Sequence, residues 1–270
     1  IIYGDYDIDG LSASTLLYDA LSSMGTTPGL YIPDRFEEGY GLNSSAIKTL
    51  KKNGADLVIS VDCGVTAHEQ AELAKKIGLD LIITDHHEPS GKAPRGALAT
   101  INPKLQKKSA FTNLAGVGVA FYLVLGLQKK YGLIKKGMEK WLLDMVALGT
   151  VCDVVPMTGL NRLLTKYGLI VMAKTNRAGL KALAEVAGAE ISSINETDLG
   201  FKLGPRLNAA GRLAHAQKAL DLLTTNDIET AKTIAIDLNR LNSERQAATK
   251  QIFEEANEQA KKYKSDPILV

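Results

Sequence analysis

Residues 1–10 read IIYGDYDIDG, a short apolar run followed by three aspartates at alternate positions and a glycine. The acidic part matches the start of an EF-hand calcium loop, but the twelfth position of that loop needs a bidentate glutamate and is Leu16 here. The apolar lead-in also predicts a strand where an EF-hand has a helix. We therefore interpret the stretch as strand, acidic loop and helix (residues 11–24). The acids in question are Asp5, Asp7 and Asp9.

The bulk composition is that of an ordinary globular protein. Hydrophobic residues make up 45% and charged residues 23% of the 270 residues, and a net charge of +2 means that any polyanion site has to be a local patch. The longest apolar stretch, residues 114–127, is too short to cross a bilayer and predicts a buried core helix, so we expect no membrane association. Two cysteines, Cys63 and Cys152, provide no disulfide framework and favour a cytoplasmic location.

Strand-like and helical patterns alternate over the first 155 residues. The predicted strands cover residues 1–3, 29–33, 55–61, 80–84 and 98–102. Between them lie helical stretches, one capped by Asn43 or Ser44 and one capped by Thr66. Continuous Val, Ile and Leu runs in such an order predict an α/β fold, a parallel sheet with helices on both faces. A mostly helical part and a long connecting helix are expected to follow.

The chain divides into four predicted segments. We expect residues 1–155 to form an α/β domain and residues 156–225 to form a mostly helical extension that completes this domain. Residues 226–264 predict one long helix with a polar surface, the kind that bridges two domains. Residues 265–270 resemble the start of a further domain that is missing here, so we interpret the chain as part of a longer protein.

Acidic residues and histidines follow the predicted strands. Asp62 comes directly after the third strand, and Asp85, His86 and His87 come directly after the fourth. Three acids in one turn could reflect turn chemistry alone. However, ligands gather at the carboxyl ends of parallel strands, and the acids of the first turn lie at such an end too. A further acid, Asp153, follows a helical run.

Carboxylates with one or two imidazoles suit Mn²⁺ or Mg²⁺ better than a thiolate zinc site. Two such ions bridged by a carboxylate would activate water and support an in-line phosphoryl displacement. We therefore expect two ions, Mn²⁺ or Mg²⁺. Cys63 and Cys152 belong to no C-x-x-C motif, and we interpret both as small buried residues.

Four motifs, GDYDIDG, SVDCG, TDHH and GTVCDVVP, occur in this order at residues 4–10, 60–64, 84–87 and 149–156. Together they closely resemble the signature motifs of the DHH phosphoesterase family. RFEEGYGL at 35–42 and GFKLGPRLNAAGRL at 200–213 resemble its single-strand-specific 5′→3′ exonuclease branch. The resemblance covers nearly the whole chain, including the long helix that joins the catalytic domain to a second domain, called DHHA1, in that family.

The resemblance implies a role for each matching residue. Asp62 would lie between the two ions, Asp85 would either bind metal or orient a histidine, and His87 would contact the scissile phosphate or assist the leaving group. The implied metal ligands are Asp5, Asp7, Asp9, Asp62, Asp85, His86 and Asp153. The implied catalytic residues are Asp9, Asp62, His86 and His87.

A nuclease also needs phosphate-binding groups that are not metals. The resemblance places Arg35 near the 5′-terminal phosphate, although a solvated surface arginine is the alternative. Arg206, Asn208 and Arg212 lie in a stretch that we interpret as a glycine- and proline-shaped loop, and arginine can bind phosphate bidentately. The alternative is that these arginines pair with acids at the junction between the helix and the domain.

The implied function is a metal-dependent 5′→3′ exonuclease that hydrolyses phosphodiester bonds of single-stranded DNA in recombination and repair. The implied partners are single-stranded DNA and a single-strand-binding protein or a helicase, and we expect a monomer. One alternative is a phosphoesterase of the same family that acts on short oligonucleotides or cyclic dinucleotides. Another is a non-enzymatic relative, which would have lost metal ligands, whereas every core position is retained here.

Overall fold

A computed structural model describes residues 1–106, 108–213 and 215–261. The strands are β1 (Ile2–Tyr3), β2 (Leu30–Tyr31), β3 (Leu57–Val61), β4 (Asp80–Thr84) and β5 (Ala99–Ile101). Within the described residues they form one five-stranded sheet in the order β2-β1-β3-β4-β5, and every pairing is parallel. The α/β fold class and the five strands predicted from the sequence are confirmed.

The helices are α1 (Ile8–Ser23), α2 (Ser44–Lys52), α3 (His68–Lys76), α4 (Gly116–Tyr131), α5 (Leu143–Cys152), α6 (Gly159–Met172), α7 (Ala178–Val186), α8 (Glu196–Asp198), α9 (Gly204–Leu213), α10 (Gln217–Thr224) and α11 (Ile228–Ala260). Short 3₁₀ turns cover Pro103–Leu105, Met138–Leu142 and Ile191–Ser193, and a π-helical turn covers Leu199–Leu203. The chain is mostly helical after β5, as predicted.

Helices cover both faces of the sheet. Ile2 of β1 packs into one apolar cluster with α1, α4 and α5, whereas its neighbour Tyr3 packs into a second cluster with α2 and α3. Successive strand residues point to opposite faces, so the two clusters are the cores on either side of the sheet. The carboxyl ends of the strands remain as the rim between these layers.

The helix starts differ from the sequence prediction at two places. Helix α1 begins at Ile8 rather than residue 11, because the Asp7 side chain accepts a hydrogen bond from the Gly10 amide at 3.1 Å and acts as N-cap. The acidic turn is thus partly helical, and Asp9 lies in its first turn. Asn43 caps α2 as predicted. Thr66 does not cap α3; Ala67 precedes that helix without a side-chain cap in the described structure.

The stretch predicted as a loop with Arg206, Asn208 and Arg212 is helical. The π-helical turn Leu199–Leu203 runs directly into α9. Residues 196–213 are thus one continuous helical run that is capped by Asn195, and Pro205 lies inside it, just after the π-helical turn. The loop prediction was wrong because glycine and proline lie within this helical run and do not interrupt it.

Helix α11 is 33 residues long, and its first half packs on α7, α9 and α10. The predicted long helix is therefore present, while its role as a connection to a second domain stays a prediction. The predicted start of that domain, residues 265–270, lies outside the described residues. In the part of the chain that the structure describes, no helix combines the length and the apolarity that a membrane crossing requires.

Candidate metal centre

The parallel register brings three acidic turns to one edge of the sheet. Strands β1, β3 and β4 are neighbours, and Asp5, Asp62 and Asp85 follow them within two residues. Because the carboxyl ends of parallel strands meet at one edge, these side chains converge there. Asp153 joins them from the end of α5, where it is the C-cap residue.

His86 lies at the centre of this convergence. Its Nε2 atom is 3.1 Å from Asp62 Oδ1, 3.8 Å from Asp9 Oδ2 and 3.7 Å from Asp153 Oδ2. Three groups of residues share members, and within each group one ligand atom from every residue lies within 4.8 Å of the others. They are Asp62–His86–His87, Asp9–His86–Asp153 and Asp5–Asp7–Asp62. Asp62 and His86 each belong to two groups.

Three polar atoms in this cluster are buried without a hydrogen-bond partner among the described residues. They are Asp62 Oδ1, His86 Nε2 and Asp153 Oδ2. The two carboxylate oxygens lie 3.1 and 3.7 Å from the imidazole nitrogen. Because an unpartnered buried polar atom costs about 1–3 kcal/mol of folding free energy, this group destabilises the fold unless a ligand pairs with it. A divalent cation that prefers carboxylate and imidazole ligands fits this donor set.

Asp9 is held by the start of α4. Its two carboxylate oxygens accept hydrogen bonds from the amides of Gly116 and Val117, the latter at 2.9 Å. The positive end of the helix dipole also favours a carboxylate at this position. Gly116 and Gly149 pack so closely on Asp62 and Asp9 that neither has room for a Cβ atom.

The backbone is strained next to two of the acids. Asp62 and Val154 have φ values of 61°, a left-handed conformation that is uncommon for aspartate and rare for a β-branched residue. Such strain costs about 1–3 kcal/mol per residue and persists only when the surrounding fold enforces it. The left-handed backbone turns the chain sharply at Asp62, after the end of β3, and at Val154, after the end of α5.

Burial and mutual repulsion favour the neutral forms of these acids in the metal-free protein. Burial raises the pKa of Asp62 and that of Asp9 well above the ordinary value, and nearby carboxylates add to both shifts. Burial raises the pKa of Asp5 to about 7 and that of Asp153 to about 6. The pKa of His86 is lowered to about 4, mainly by burial. A bound cation would replace the protons and reverse this preference.

Asp85 differs from the other acids because its carboxylate is already saturated. It accepts hydrogen bonds from the amides of Val65, His86 and His87 at 2.8, 2.7 and 3.0 Å. His87 Nδ1 lies 2.8 Å from the same carboxylate. Burial favours the neutral acid, but the bonds from His87 and Val65 outweigh it, so the pKa of Asp85 lies below its ordinary value. This geometry favours the orienting role for Asp85 over metal ligation.

His87 lies next to the cluster, and the centre of its ring is 4.5 Å from that of His86. Its Nδ1 atom is 3.9 Å from Asp62 Oδ1, and the Tyr40 hydroxyl lies 3.3 Å from the same nitrogen. The hydrogen bond with Asp85 is the main reason that the pKa of His87 lies above its ordinary value. His87 is therefore an oriented, partly exposed imidazole that can hold a proton beside the cluster.

A small pocket of about 200 Å³ opens beside this cluster of acids and His86. Asp7 and Asp153 form its acidic side, and Arg35, Asn208 and Arg212 line the rest with Tyr6, Cys152 and Gly211. The Arg35 guanidinium lies 5.1 Å from the centre of the Tyr6 ring, a cation–π contact that holds it at this rim. Two arginines and an amide beside a metal cluster suit a phosphate group. We call this space the phosphate pocket.

Arg206 does not join this group. Its Nε donates to Asn239 Oδ1 of α11 at 2.9 Å, and its Nη1 donates to the Lys202 carbonyl at 2.7 Å. Within the described chain it lines neither the phosphate pocket nor the adjoining cavity. These contacts tie α9 to the long helix, as the structural alternative for this arginine expects. Its assignment as a phosphate binder stays a prediction.

The two cysteines were predicted to be small buried residues, which is right for Cys63 and wrong for Cys152, since Cys152 is only partly buried and lines the phosphate pocket. Cys63 is buried, and burial raises the pKa of its thiol and raises that of Cys152 to about 12. His215 Nδ1 lies 2.6 Å from Asp34 Oδ2. Sequence reasoning missed Tyr40, Gly116 and Gly149. Tyr40 stands in the same motif as Arg35, but the two glycines carry no local signal that separates them from ordinary helix glycines.

An α/β fold with a cluster of carboxylates and histidines at the carboxyl edge of its sheet is typical of metal-binding phosphoesterases. The chain belongs to the DHH family: residues 1–150 match the description "DHH family, N-terminal domain". It is 41% identical over 271 aligned residues to the single-stranded-DNA-specific exonuclease RecJ of Bacillus subtilis, an alignment covering 100% of this chain and 34% of that protein. The RecJ of Escherichia coli K12 is 41% identical, with 91% of this chain and 44% of that protein aligned.

Two solved structures are similar to the whole described fold. The crystal structure of exonuclease RecJ bound to manganese has a TM-score of 0.84 and 35% identity, covering 94% of this chain and 63% of that chain. RecJ from Thermus thermophilus in complex with Mn²⁺ has a TM-score of 0.82 and 33% identity, covering 94% of this chain and 36% of that chain. The chain thus spans between about a third and under half of the curated relatives named here.

Proposed function

We propose that this chain is the catalytic part of a metal-dependent phosphodiesterase that degrades single-stranded DNA from the 5′ end in recombination and repair. The observation that carries the proposal is a set of three buried ligand atoms without partners in the described structure, next to a pocket with two arginines. Metal ligands and a phosphate site in contact with each other are what phosphodiester hydrolysis requires.

Two divalent ions, Mn²⁺ or Mg²⁺, are the proposed cofactors. Asp9, His86 and Asp153 would hold one of them, Asp5 and Asp7 would hold the other, and Asp62 would serve both. When bound, the ions supply an activated water and charge stabilisation for the attacked phosphate. The acids must be deprotonated to bind them.

The protein's own groups position the substrate and move a proton. Arg35 and Arg212 bind the phosphate in the pocket, and the Asn208 amide donates a further hydrogen bond. His87 is oriented by Asp85 and delivers a proton to the leaving oxygen. The bond between that oxygen and phosphorus breaks while the water oxygen bonds to phosphorus. Contacts to phosphate rather than to base edges make the site tolerant of sequence.

The preference for single-stranded DNA comes from the names of the relatives, which are called single-stranded-DNA-specific exonucleases. The 5′→3′ polarity comes from the motif resemblance. We extend both to this chain as part of the proposal. We also propose a cytoplasmic monomer that works with a single-strand-binding protein or a helicase. The motif resemblance supports the division into residues 1–155, 156–225 and 226–264, with the long helix leading to a second domain.

The test uses single-stranded DNA labelled at the 5′ or 3′ end, the matching RNA and a dinucleotide, each with and without Mn²⁺. The wild type is compared with Asp62→Asn, since asparagine tolerates the left-handed backbone at this position. Asp56→Asn, at a side chain that is 98% exposed, is the control. We expect Mn²⁺-dependent release of the 5′ label, progressive shortening of the 3′-labelled strand, and loss of both in Asp62→Asn alone.

Other outcomes point to other functions. Equal rates on the dinucleotide and on long DNA would indicate a phosphoesterase for small substrates. Absence of metal-dependent turnover by the full-length protein would indicate a non-enzymatic relative and would overturn the proposal.

A further inference from the structure

A second cavity of about 430 Å³ adjoins the phosphate pocket. The two spaces share Cys152, Asn208 and Arg212 as lining residues. A molecule whose phosphate lies in the first space can therefore extend into the second without leaving the protein surface. We call this second space the side cavity.

The side cavity carries two large apolar side chains that the protein leaves open to solvent. Phe201 is 79% exposed and Val154 is 85% exposed, and both line it. Single exposed apolar residues need no explanation, but these two line the same cavity, next to the cluster of acids and His86. An apolar ligand group in this cavity would cover both of them.

Each of these side chains is presented by an unusual backbone. Val154 has a φ of 61°, a left-handed backbone conformation that is rare for a β-branched residue. Phe201 lies in the middle of the π-helical turn Leu199–Leu203, a distortion found mostly at functional sites. Two independent distortions present apolar groups to one cavity.

The charges around the side cavity are complementary to a nucleotide. Arg212 lines both this cavity and the phosphate pocket, and Arg245 of α11 lines this cavity only. The Arg245 guanidinium keeps free donors because only its Nη2, at 3.1 Å from Asn242 Oδ1, is paired in the described structure. One acid, Glu196, also lines the cavity.

We propose that the side cavity binds the nucleobase adjacent to the phosphate in the phosphate pocket, with the Phe201 ring stacked on the base. This inference rests on the proposed function and names a substrate contact within it. An aromatic face accepts every base because each base has a π-face. The contact would hold a single strand in place without reading its sequence.

Binding is measured by fluorescence anisotropy of labelled oligothymidylate in the Asp62→Asn background, so that no cleavage occurs. We expect Phe201→Ala to weaken binding roughly 5- to 150-fold, the range for loss of one base stack, and Phe201→Trp to restore it. Tyr167→Ala removes an exposed aromatic residue of α6 that lines neither space. This control should bind as the parent does.

A single abasic nucleotide, moved along the oligonucleotide, identifies the stacked base. One position should weaken binding to the protein with Phe201, and the same position should have no further effect in Phe201→Ala. Equal binding by Phe201→Ala and Phe201→Trp would overturn the nucleobase site. An abasic effect that persists in Phe201→Ala would overturn it as well.

The outcomes separate this inference from the proposed function. If the wild type shows no metal-dependent cleavage, the proposed function fails, while the binding comparison still decides the nucleobase site. If cleavage is intact and Phe201→Ala binds normally, only the nucleobase site is wrong. If Phe201→Ala lowers the melting temperature of the full-length protein but not of this chain, with no abasic effect, another part of the protein covers Phe201 and the site is overturned.

Discussion

A methyl group on Gly149 would lie 2.7 Å from Asp9 Oδ1 and 2.8 Å from a methyl carbon of Val117. These separations are shorter than van der Waals contact, so helix α5 can approach the acid only because residue 149 has no side chain. Asp9 is fixed on its other side by the amides at the start of α4. The position of this predicted ligand therefore depends on a glycine that contributes no ligand atom.

Gly149→Ala is expected to destabilise the protein and to weaken metal binding. Overpacking a core position costs about 1–3 kcal/mol, and displacing the support of a ligand lowers metal affinity about 10- to 100-fold. Thermal unfolding and Mn²⁺ titration calorimetry measure the two effects. Gly126→Ala is the matched control, since this α4 glycine has open space around its Cβ position. The control should bind Mn²⁺ normally, and wild-type affinity in Gly149→Ala would contradict the prediction.

Asp62→Asn is expected to remove the response to metal without destabilising the metal-free protein. Burial disfavours the Asp62 carboxylate and raises its pKa, so a neutral amide of the same shape should leave the melting temperature unchanged or raise it. In the wild type, Mn²⁺ should raise the melting temperature by about 2–4 °C for each kcal/mol of binding. A lower melting temperature in metal-free Asp62→Asn would show that the carboxylate itself stabilises the fold.

The stabilisation by Mn²⁺ should grow as the pH rises from 5 to 8. The pKa values of about 7 for Asp5 and about 6 for Asp153 exceed the value of about 4 in an unfolded chain. Between pH 4 and 7 the metal-free fold thus holds more protons than the unfolded chain, and the stability that these two groups contribute falls as the pH rises. Mn²⁺ competes with those protons, so it binds more tightly at higher pH.

Calorimetry in two buffers with different ionisation enthalpies tests this by counting the protons released on Mn²⁺ binding. Release should be larger at pH 5.5 than at pH 8. His86 should not limit binding in this range, because its pKa is lowered to about 4. An Mn²⁺ affinity that is constant from pH 5 to 8 would contradict the assignment of these acids as ligands.

Strand periodicity and the rule on strand ends were enough to predict where the acids meet. Asp62 and Asp85 come after short, continuous runs of Val, Ile and Leu, which are typical of buried parallel strands. The turns after such strands lie at one edge of the sheet. Neither rule says which atoms are free. Asp85 and Asp62 look equivalent in sequence, and only the turn after β4 shows that Asp85 is saturated by three amides.

Tertiary contacts that the local sequence does not encode explain what the prediction missed. Glycine and proline around Arg206 usually indicate a loop or the start of a helix, but here they lie inside a helical run, next to its π-helical turn. The direction of each arginine then depends on helical spacing. Arg206 and Arg212 are six residues apart, which at about 100° per residue turns them to different sides of α9.

The different sides of α9 lead to the last prediction, which separates binding from stability. Arg212→Ala should weaken oligonucleotide binding and reduce the slope of log K against log salt by about 0.7, the value for one phosphate contact on a single strand. Arg206→Ala should leave that slope unchanged and lower the melting temperature instead, because its guanidinium bonds Asn239 and the Lys202 carbonyl. Asn239→Ala should reproduce part of the loss, and the double variant should lose less than the sum of the two, since both act through one contact. A reduced salt slope in Arg206→Ala would mean that this arginine reaches the strand after all, and additive losses would mean that the contact does not tie α9 to the long helix.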